Sequence, residues 1–319
     1  MKFALIVLAY NESKTIEEVI KKHETFFDKI IVVNDKSKDN THKILSGLEN
    51  DLENLTVITN SKNLGAGKSF DIGIKEFLQS DCDYVVKIDG DGQFNPKDAE
   101  KIKILAQEKN LDFIKCDRFW VQGINGKIPL IRYFGNAFAS FLIKFATGNW
   151  KINDALNGLF LISRKVADNF ALPKLFNRYG YPFYLNTYVS NYAMVSDIKI
   201  GQYKNVINYG EEKSSLNPFT MFFKLIYFVV INFITKIKIK VRVSELQLSA
   251  ILDILSIVIF SNLIFSLYKF IGVRYLDSSG PQDTWYLVVI IYFLVYLGIL
   301  TLSQNQESKF NKDKFLDMK

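Results

Sequence analysis

Two carboxylates, Asp89 and Asp91, stand two residues apart in the stretch Lys87-Ile88-Asp89-Gly90-Asp91-Gly92-Gln93. Like charges this close repel unless something positive sits between them. A divalent cation such as Mg²⁺ meets that need, because it binds through one or two carboxylates together with the oxygens of a substrate diphosphate. The residues before them, Asp83-Tyr84-Val85-Val86-Lys87-Ile88, are rich in apolar and β-branched side chains and read as a buried strand. The pair therefore falls at the C-terminal end of a strand, where open α/β sheets bind their ligands. An Asp-Gly turn leading into a helix at Pro96 accounts for the same residues without a metal.

The elements that must position this pair follow a regular order. Residues 3–9 and 30–33 are apolar strand patterns, ended by Asn11-Glu12-Ser13 and by Asn34-Asp35-Lys36-Ser37-Lys38-Asp39. A helix over about 40–49 leads to a third strand, Leu55–Thr59. Asn63-Leu64-Gly65-Ala66-Gly67-Lys68 then opens a helix to about Leu78. After the strand before Asp89 come a helix from Pro96 to Lys109 and a strand Phe113–Cys116. Strict alternation of strand and helix predicts an α/β fold on a mostly parallel sheet with right-handed crossovers. The loops after strands one, two and four then share one sheet edge and bring Asn11, Glu12, Asp35, Asp89 and Asp91 together. Such an edge suits a nucleotide base, ribose and diphosphate. Helix capping explains Asp39 well and Asp35 less readily.

Gly67-Lys68-Ser69 does not make a phosphate-binding NTPase loop. That motif needs a glycine five residues before Gly67, where position 62 is Lys. The glycines are expected to let the backbone pass close to a sugar nucleotide, with Lys68 offering charge. Downstream, Arg118 and Arg132 flank an irregular segment and form a pair able to clamp a phosphate. A helix over about 132–147, the motif Asp154-Ala155-Leu156-Asn157-Gly158 and a strand Leu159–Ile162 follow. The two cysteines lack metal-type spacing and are expected reduced in the core. His23 and His42 lie in polar helical stretches and are expected at the surface, which excludes a zinc site or a histidine-based triad.

The C-terminal third changes character. Phe219–Ile234 is apolar but only about 16 residues long and carries Lys224, so it is expected to lie in the membrane interface. Lys236, Lys238, Lys240 and Arg242 follow and contribute to the formal net charge of +7. Alternating bases beside an apolar run fit anionic lipid headgroups rather than nucleic acid. Leu248–Ile271 and Trp285–Leu302 are long enough to cross a bilayer, although Asp253 and Asn262 must face protein or lie near an end. Bases flank both ends of this pair of spans, which places the termini in the cytoplasm. The expected parts are residues 1–217, an interfacial segment 218–247, a two-helix transmembrane anchor 248–303 and a cytoplasmic tail 304–319.

Ala9-Tyr10-Asn11-Glu12, Asn34-Asp35-Lys36-Ser37, Asn63-Leu64-Gly65-Ala66-Gly67 and Asp89-Gly90-Asp91-Gly92-Gln93 together resemble, in order and spacing, a family 2 glycosyltransferase of the GT-A (Rossmann-like) fold. Within it the chain is similar to the polyprenyl-phosphate glycosyltransferases, which use dolichyl or undecaprenyl phosphate. The resemblance implies a UDP- or GDP-sugar donor, Mg²⁺ or Mn²⁺, and inverting transfer of a single sugar to a polyprenyl phosphate at the cell membrane; it leaves a homo-oligomer open. It implies that Asp91 with Gln93 holds the metal. Asp89 would contact the donor, with Ala9, Tyr10, Glu12, Asp35, Gly65 and Lys68 around it. Arg118, Arg132 and Asn136 would hold the lipid phosphate, Asp154 would be an acid near the acceptor, and Lys213, Ser214 and Ser215 would close over the diphosphate. Two departures stand out: Asn34 replaces a frequent acid, and Tyr181-Pro182-Phe183-Tyr184-Leu185-Asn186 lacks the acid many members carry there. The processive Gln-x-x-Arg-Trp signature is absent. Two other readings remain: the same fold acting on a glycan or lipid-diphosphate-sugar acceptor, and a catalytically silent membrane scaffold or lipid transporter.

Overall fold

The computed structural model of the chain describes residues 1–118, 130–205, 218–275 and 282–317. It divides into two units, residues 1–230 together with the stretch from 313 onward, and residues 231–312. The first unit is built on eight strands: β1 (Phe3–Ala9), β2 (Lys29–Asn34), β3 (Leu55–Thr59), β4 (Tyr84–Asp89), β5 (Phe113–Asp117), β6 (Phe160–Ser163), β7 (Ile200–Lys204) and β8 (Phe315–Asp317). They form one sheet in the order β3-β2-β1-β4-β6-β5-β7-β8. All neighbours are parallel except β6, which runs antiparallel to both β4 and β5. The expected mostly parallel α/β fold is what the chain adopts.

The sheet is buried on both faces, which is why its strands read as continuous apolar runs. In β1 the side chains alternate between two cores. Ala4, Ile6 and Leu8 point to one, with Phe70, Ile74 and Phe77 of α3 (Ala66–Gln79), Ala139 and Ile143 of α5 (Leu130–Thr147), and Phe183 and Val189 of α7 (Tyr181–Ala193). Phe3, Leu5 and Val7 point to the other, with Ile16 and Ile20 of α1 (Ile16–His23), Leu45 and Leu48 of α2 (Thr41–Asp51), and Ala99 and Ile102 of α4 (Pro96–Lys109). A short helix α6 (Arg164–Ala167) follows β6, its first turn capped by the Ser163 hydroxyl, which accepts from Val166 N.

One expectation is corrected within this unit. His23 is buried, not at the surface: it is 2% exposed, lies on the apolar face of α1 and bonds Val19 O through Nδ1 at 2.7 Å. Burial pushes its pKa down. Within the stretch expected as a cytoplasmic tail, Phe315–Asp317 pairs with β7 as β8, and Phe315 packs into the first core. Both cysteines are buried and unpaired, as expected.

The remaining helices are α8 (Pro218–Arg242), α9 (Gln247–Tyr275) and α10 (Gln282–Phe310). Three segments in them, Thr220–Arg242, Ser244–Gly272 and Thr284–Phe310, are long and apolar enough to cross a membrane, where two were expected. Helix α8 runs past Ile234 through the basic residues. In the second unit, α9 and α10 form an antiparallel pair, with ring contacts Phe260–Tyr296 and Phe265–Trp285 along its length. Lys236 and Lys240 of α8 do not face headgroups. They are 3% and 0% exposed and ion-paired inside this unit with Glu307 and Asp253. Only Lys238 and Arg242 of the basic run are exposed. Asp253 faces protein as its charge requires, whereas Asn262 is exposed and returns its Nδ2 to Val258 O.

Phe70 is fully buried, and its ring meets those of Phe160, Phe170 and Tyr181 at 5.4, 5.7 and 5.2 Å. Phe70→Ala should cost about 3–5 kcal/mol, read as a fall in the urea midpoint of the purified chain. A cost under about 1 kcal/mol would contradict this core.

Candidate functional site

The site grows from the C-terminal ends of β1, β2 and β4, which lie side by side in the sheet. Leu8 pairs with Asp89 across the β1–β4 ladder, and Ala9 with Asn34 across β1–β2. The side chains beyond these ends therefore meet in one place. They line a cleft of about 580 Å³. Of the residues expected to hold a donor or its metal, Ala9, Tyr10, Glu12, Asp35, Gly65, Asp89 and Asp91 line it. Lys68 does not; its ammonium pairs with Asp71 at 2.7 Å. Gln93 does not line it either; its backbone N–H donates to Asp91 Oδ1 at 3.0 Å, holding that carboxylate.

The two acids of the opening stretch differ in surroundings. Asp89 Oδ1 takes the ammonium of Lys87 at 2.6 Å, and that lysine is 1% exposed. Its charge is thus largely met by the protein. Asp91 faces the cleft one turn further on. The described residues contain no cluster of three or more His, Cys, Asp or Glu able to hold a metal by themselves. One or two carboxylates open to a cleft are the donor set of a Mg²⁺-type ion completed by phosphate oxygens, and these residues fit it.

Asp35 sits at the end of β2, 4% exposed. Its carboxylate accepts from Leu64 N, Gly65 N and Asn60 Nδ2, each at 2.8 Å. It pins the loop after β3 against β2. Gly65 has φ +93°, a conformation that favours glycine. The helix start that follows is closed by protein: Gly67 N donates to Arg178 O at 3.1 Å and Lys68 N to Asn177 O at 2.7 Å. The glycines thus admit the segment 176–178, since a Cβ on Gly67 would lie 2.0 Å from Phe176 O.

Beside the cleft lies a second group. Asp154 is wholly buried, with φ +48°; it accepts from Arg118 Nη2 (3.0 Å) and backbone N (3.1 Å) and is ion-paired with Arg118 Nε at 2.8 Å. Asn157 Nδ2 reaches Asp154 Oδ2 at 3.1 Å and Asn205 Oδ1 at 3.0 Å, and the Asn157 carbonyl takes the buried Lys115 ammonium at 2.7 Å. The motif's glycine joins this group to the first: a Cβ on Gly158 would lie 2.7 Å from Asp89 Oδ2 and 3.1 Å from Lys87 Nζ. Asn136 is buried in α5, and its Oδ1 has no hydrogen-bond partner among the described residues. Arg132 is one turn earlier on the same helix; its side chain, and Lys213, Ser214 and Ser215, lie outside the described residues. Helix α5 also walls a cavity of about 480 Å³ lined by Asp117, Tyr133, Lys144 and Trp150 among others.

Sequence reasoning missed four contributors. Lys87 and Lys115 are lysines inside strand patterns, a visible signal of buried pairing. Arg178 and Tyr179 line the cleft but sit in an irregular stretch that only the long-range contact with the loop after β3 brings there.

Residues 4–170, more than half of the 319-residue chain, match the sequence model of Glycosyl transferase family 2. The UDP-N-acetylglucosamine–dolichyl-phosphate N-acetylglucosaminyltransferase of Methanococcus voltae is 30% identical over 173 residues, 50% of this chain and 68% of that protein. The dolichyl-phosphate beta-glucosyltransferase of Trichomonas vaginalis is 28% identical over 179 residues, 51% of this chain and 52% of its own. These matches thus span between 52% and 68% of the length of the two relatives. Residues 1-349 of TarS from S. aureus superpose with a TM-score of 0.48 at 15% identity, covering 98% of this chain and 92% of that one.

Gly158→Ala should displace Asp89 and lower turnover at least tenfold while leaving the melting temperature within a few degrees; unchanged turnover would show that the two groups are not coupled. Burial pushes the Lys115 ammonium down to about 8, against the opposing pull of Asp154. The unfolded chain keeps a proton, between about pH 8 and 10.5, that the folded lysine has released, so this residue makes stability rise with pH there. Lys115→Met should flatten the rise of the urea midpoint across that window relative to wild type. Parallel profiles for the two proteins would refute it.

Proposed function

This chain belongs to glycosyl transferase family 2, and we propose that it transfers one sugar, with inversion, from a nucleotide-sugar donor to a polyprenyl phosphate at a membrane surface. The observation that carries the reading is the coupling, through Gly158, of a cleft lined by Asp89 and Asp91 to the buried Asp154–Arg118 pair. One half suits a nucleoside diphosphate and the other presents a guanidinium beside it. The acceptor class is supported by the two relatives named as dolichyl-phosphate sugar transferases.

In the reaction, an oxygen of the lipid phosphate forms a bond to the anomeric carbon as the bond from that carbon to the diphosphate breaks. A phosphate monoester is already mostly ionised at neutral pH, so no strong general base is needed. That agrees with Asp154, which is buried and spent on Arg118; its task is to hold the guanidinium in place for the acceptor phosphate. Arg118, Arg132 and Asn136 bind that phosphate. The α5 cavity beside them gives room for the acceptor. Asp91, held by Gln93 N, is the carboxylate that would carry the divalent ion, and Asp89, already paired with Lys87, orients the donor. When bound, the ion would neutralise charge on the departing nucleoside diphosphate.

The chain's path supports two crossings of the bilayer. β8 follows α10 and pairs with β7 in the catalytic sheet, so the chain leaves and rejoins the same domain. A return to one side takes an even number of crossings. We assign these to α9 and α10, with α8 lying in the interface and the catalytic unit and both termini in the cytoplasm.

The test is product formation by the detergent-solubilised chain given a polyprenyl phosphate, Mn²⁺ or Mg²⁺ and a panel of UDP- and GDP-sugars. One donor should yield a lipid-linked monosaccharide, and Asp91→Asn should lower turnover about a hundredfold. Near-wild-type turnover of Asp91→Asn at saturating metal would overturn the mechanism.

A further inference from the structure

We propose that Arg178 reads the nucleobase of the donor, selecting a base whose edge presents carbonyl oxygens, uracil or guanine, over one that presents an amino group there. The inference rests on the nucleotide-sugar reading above and concerns the far end of the same cleft.

The cleft is lined by four acids, Glu12, Asp35, Asp89 and Asp91, and among its described lining residues Arg178 is the only cation. Its position is fixed at two levels. Through the backbone, Arg178 O accepts from Gly67 N, and a Cβ on Gly65 would lie 2.8 Å from Arg178 Cα and 2.6 Å from its Cγ. Through the side chain, Nη1 donates to Asn63 Oδ1 at 3.2 Å, and Asn63 Nδ2 in turn reaches Asp35 O at 3.5 Å. The guanidinium is thereby anchored beyond the ends of β2 and β3.

The sheet order places that anchor far from the metal-binding acid. β4, which leads to Asp91, lies two strands from β2 and three from β3. At the usual strand spacing this is roughly 10–14 Å. A diphosphate held at Asp91 therefore sends the opposite end of the nucleotide, its base, toward Arg178. The acid nearest that end is already engaged: Asp35 is 4% exposed, and three of its roughly four acceptor sites hold Leu64 N, Gly65 N and Asn60 Nδ2. Two aromatic rings in the same cleft, Tyr10 and Tyr179, are 40% and 41% exposed and offer faces to a planar ring. What the edge of that ring meets is a guanidinium, which has donors and no acceptor. Such a group pairs with the O6 and N7 of guanine or a carbonyl of uracil, and mismatches the exocyclic amino groups of adenine and cytosine.

The experiment measures binding of nucleoside, nucleoside monophosphate and nucleoside diphosphate to the purified full chain in detergent by calorimetry, for each of the four bases with Mn²⁺ present. The expected result is that wild type prefers the uracil or guanine series. Arg178→Ala should weaken all three members of that series by the same factor, roughly tenfold or more, and narrow the gap to CDP and ADP, with an unchanged melting temperature. Arg178→Lys should recover little of the loss, since an ammonium lacks the planar fork. An effect that is absent for the nucleoside and appears only with the phosphates would overturn the inference and give Arg178 to the diphosphate. Unchanged binding by Arg178→Ala would also overturn it, with the nucleotide-sugar reading intact. If wild type binds no nucleoside diphosphate, that reading itself falls, and the inference with it.

Discussion

Two lysines inside the sheet govern the geometry of everything above them. A charge buried in an apolar core is tolerated only with a partner close by. Lys87 of β4 and Lys115 of β5 are both 1% exposed, and each reaches up to the turn Asp154–Gly158 or to the acid beside it. Lys87 holds Asp89 and lies 5.5 Å from the centre of the Tyr181 ring. Lys115 holds the Asn157 carbonyl. Removing Lys115 would leave the buried Asn157 carbonyl without its donor, and removing Lys87 would strip Asp89 of its counter-charge. The consequence for chemistry is a division of labour between like residues. Asp89 has its counter-charge built in, whereas Asp91 is turned to the cleft.

The same reasoning explains why the glycine-rich loop is not a phosphate cradle. A helix N-terminus attracts anions because its first N–H groups lack partners. Here Gly67 N and Lys68 N donate to the carbonyls of Arg178 and Asn177. The glycines serve a close backbone crossing, and Asp35 locks that crossing from the other side. The crossing is what carries Arg178 and Tyr179, more than a hundred residues downstream of the loop, to the mouth of the cleft.

Much of this was legible in the chain because parallel strands buried on both faces leave continuous apolar runs. β1 to β5 and α4 fell where hydrophobic pattern and capping residues put them, and the acids after β1, β2 and β4 converged because strand order in such sheets is constrained. What escaped was set by distant partners. β8 is three residues whose pairing with β7 has no local mark. His23 lies in a polar stretch, yet helical spacing with Ile16, Val19 and Ile20 turns it inward. The Asp154 motif was visible, but not that its carboxylate would be fully taken by Arg118, Asn157 and a left-handed turn.

The end of α8 was misjudged for a related reason. Reading stopped at Ile234 because lysines interrupt the apolar run, and a lysine facing lipid tails is costly. Lys236 and Lys240, four apart, share one helix face, and in the second unit that face meets Asp253 of α9 and Glu307 of α10. Ser249 and Ser303 complete the set: Ser249 accepts from Lys240 at 2.9 Å, and Ser303 donates to Asp253. Two cations and two anions sum to zero, so the formal charges of the group cancel. A buried set of this kind adds little net stability compared with apolar packing, but it penalises any slip of one helix against another, since a shift by one turn strands a charge. The basic run therefore divides in two along one helix. Its buried half fixes the register of α8, α9 and α10, and its other half, Lys238 and Arg242, is exposed.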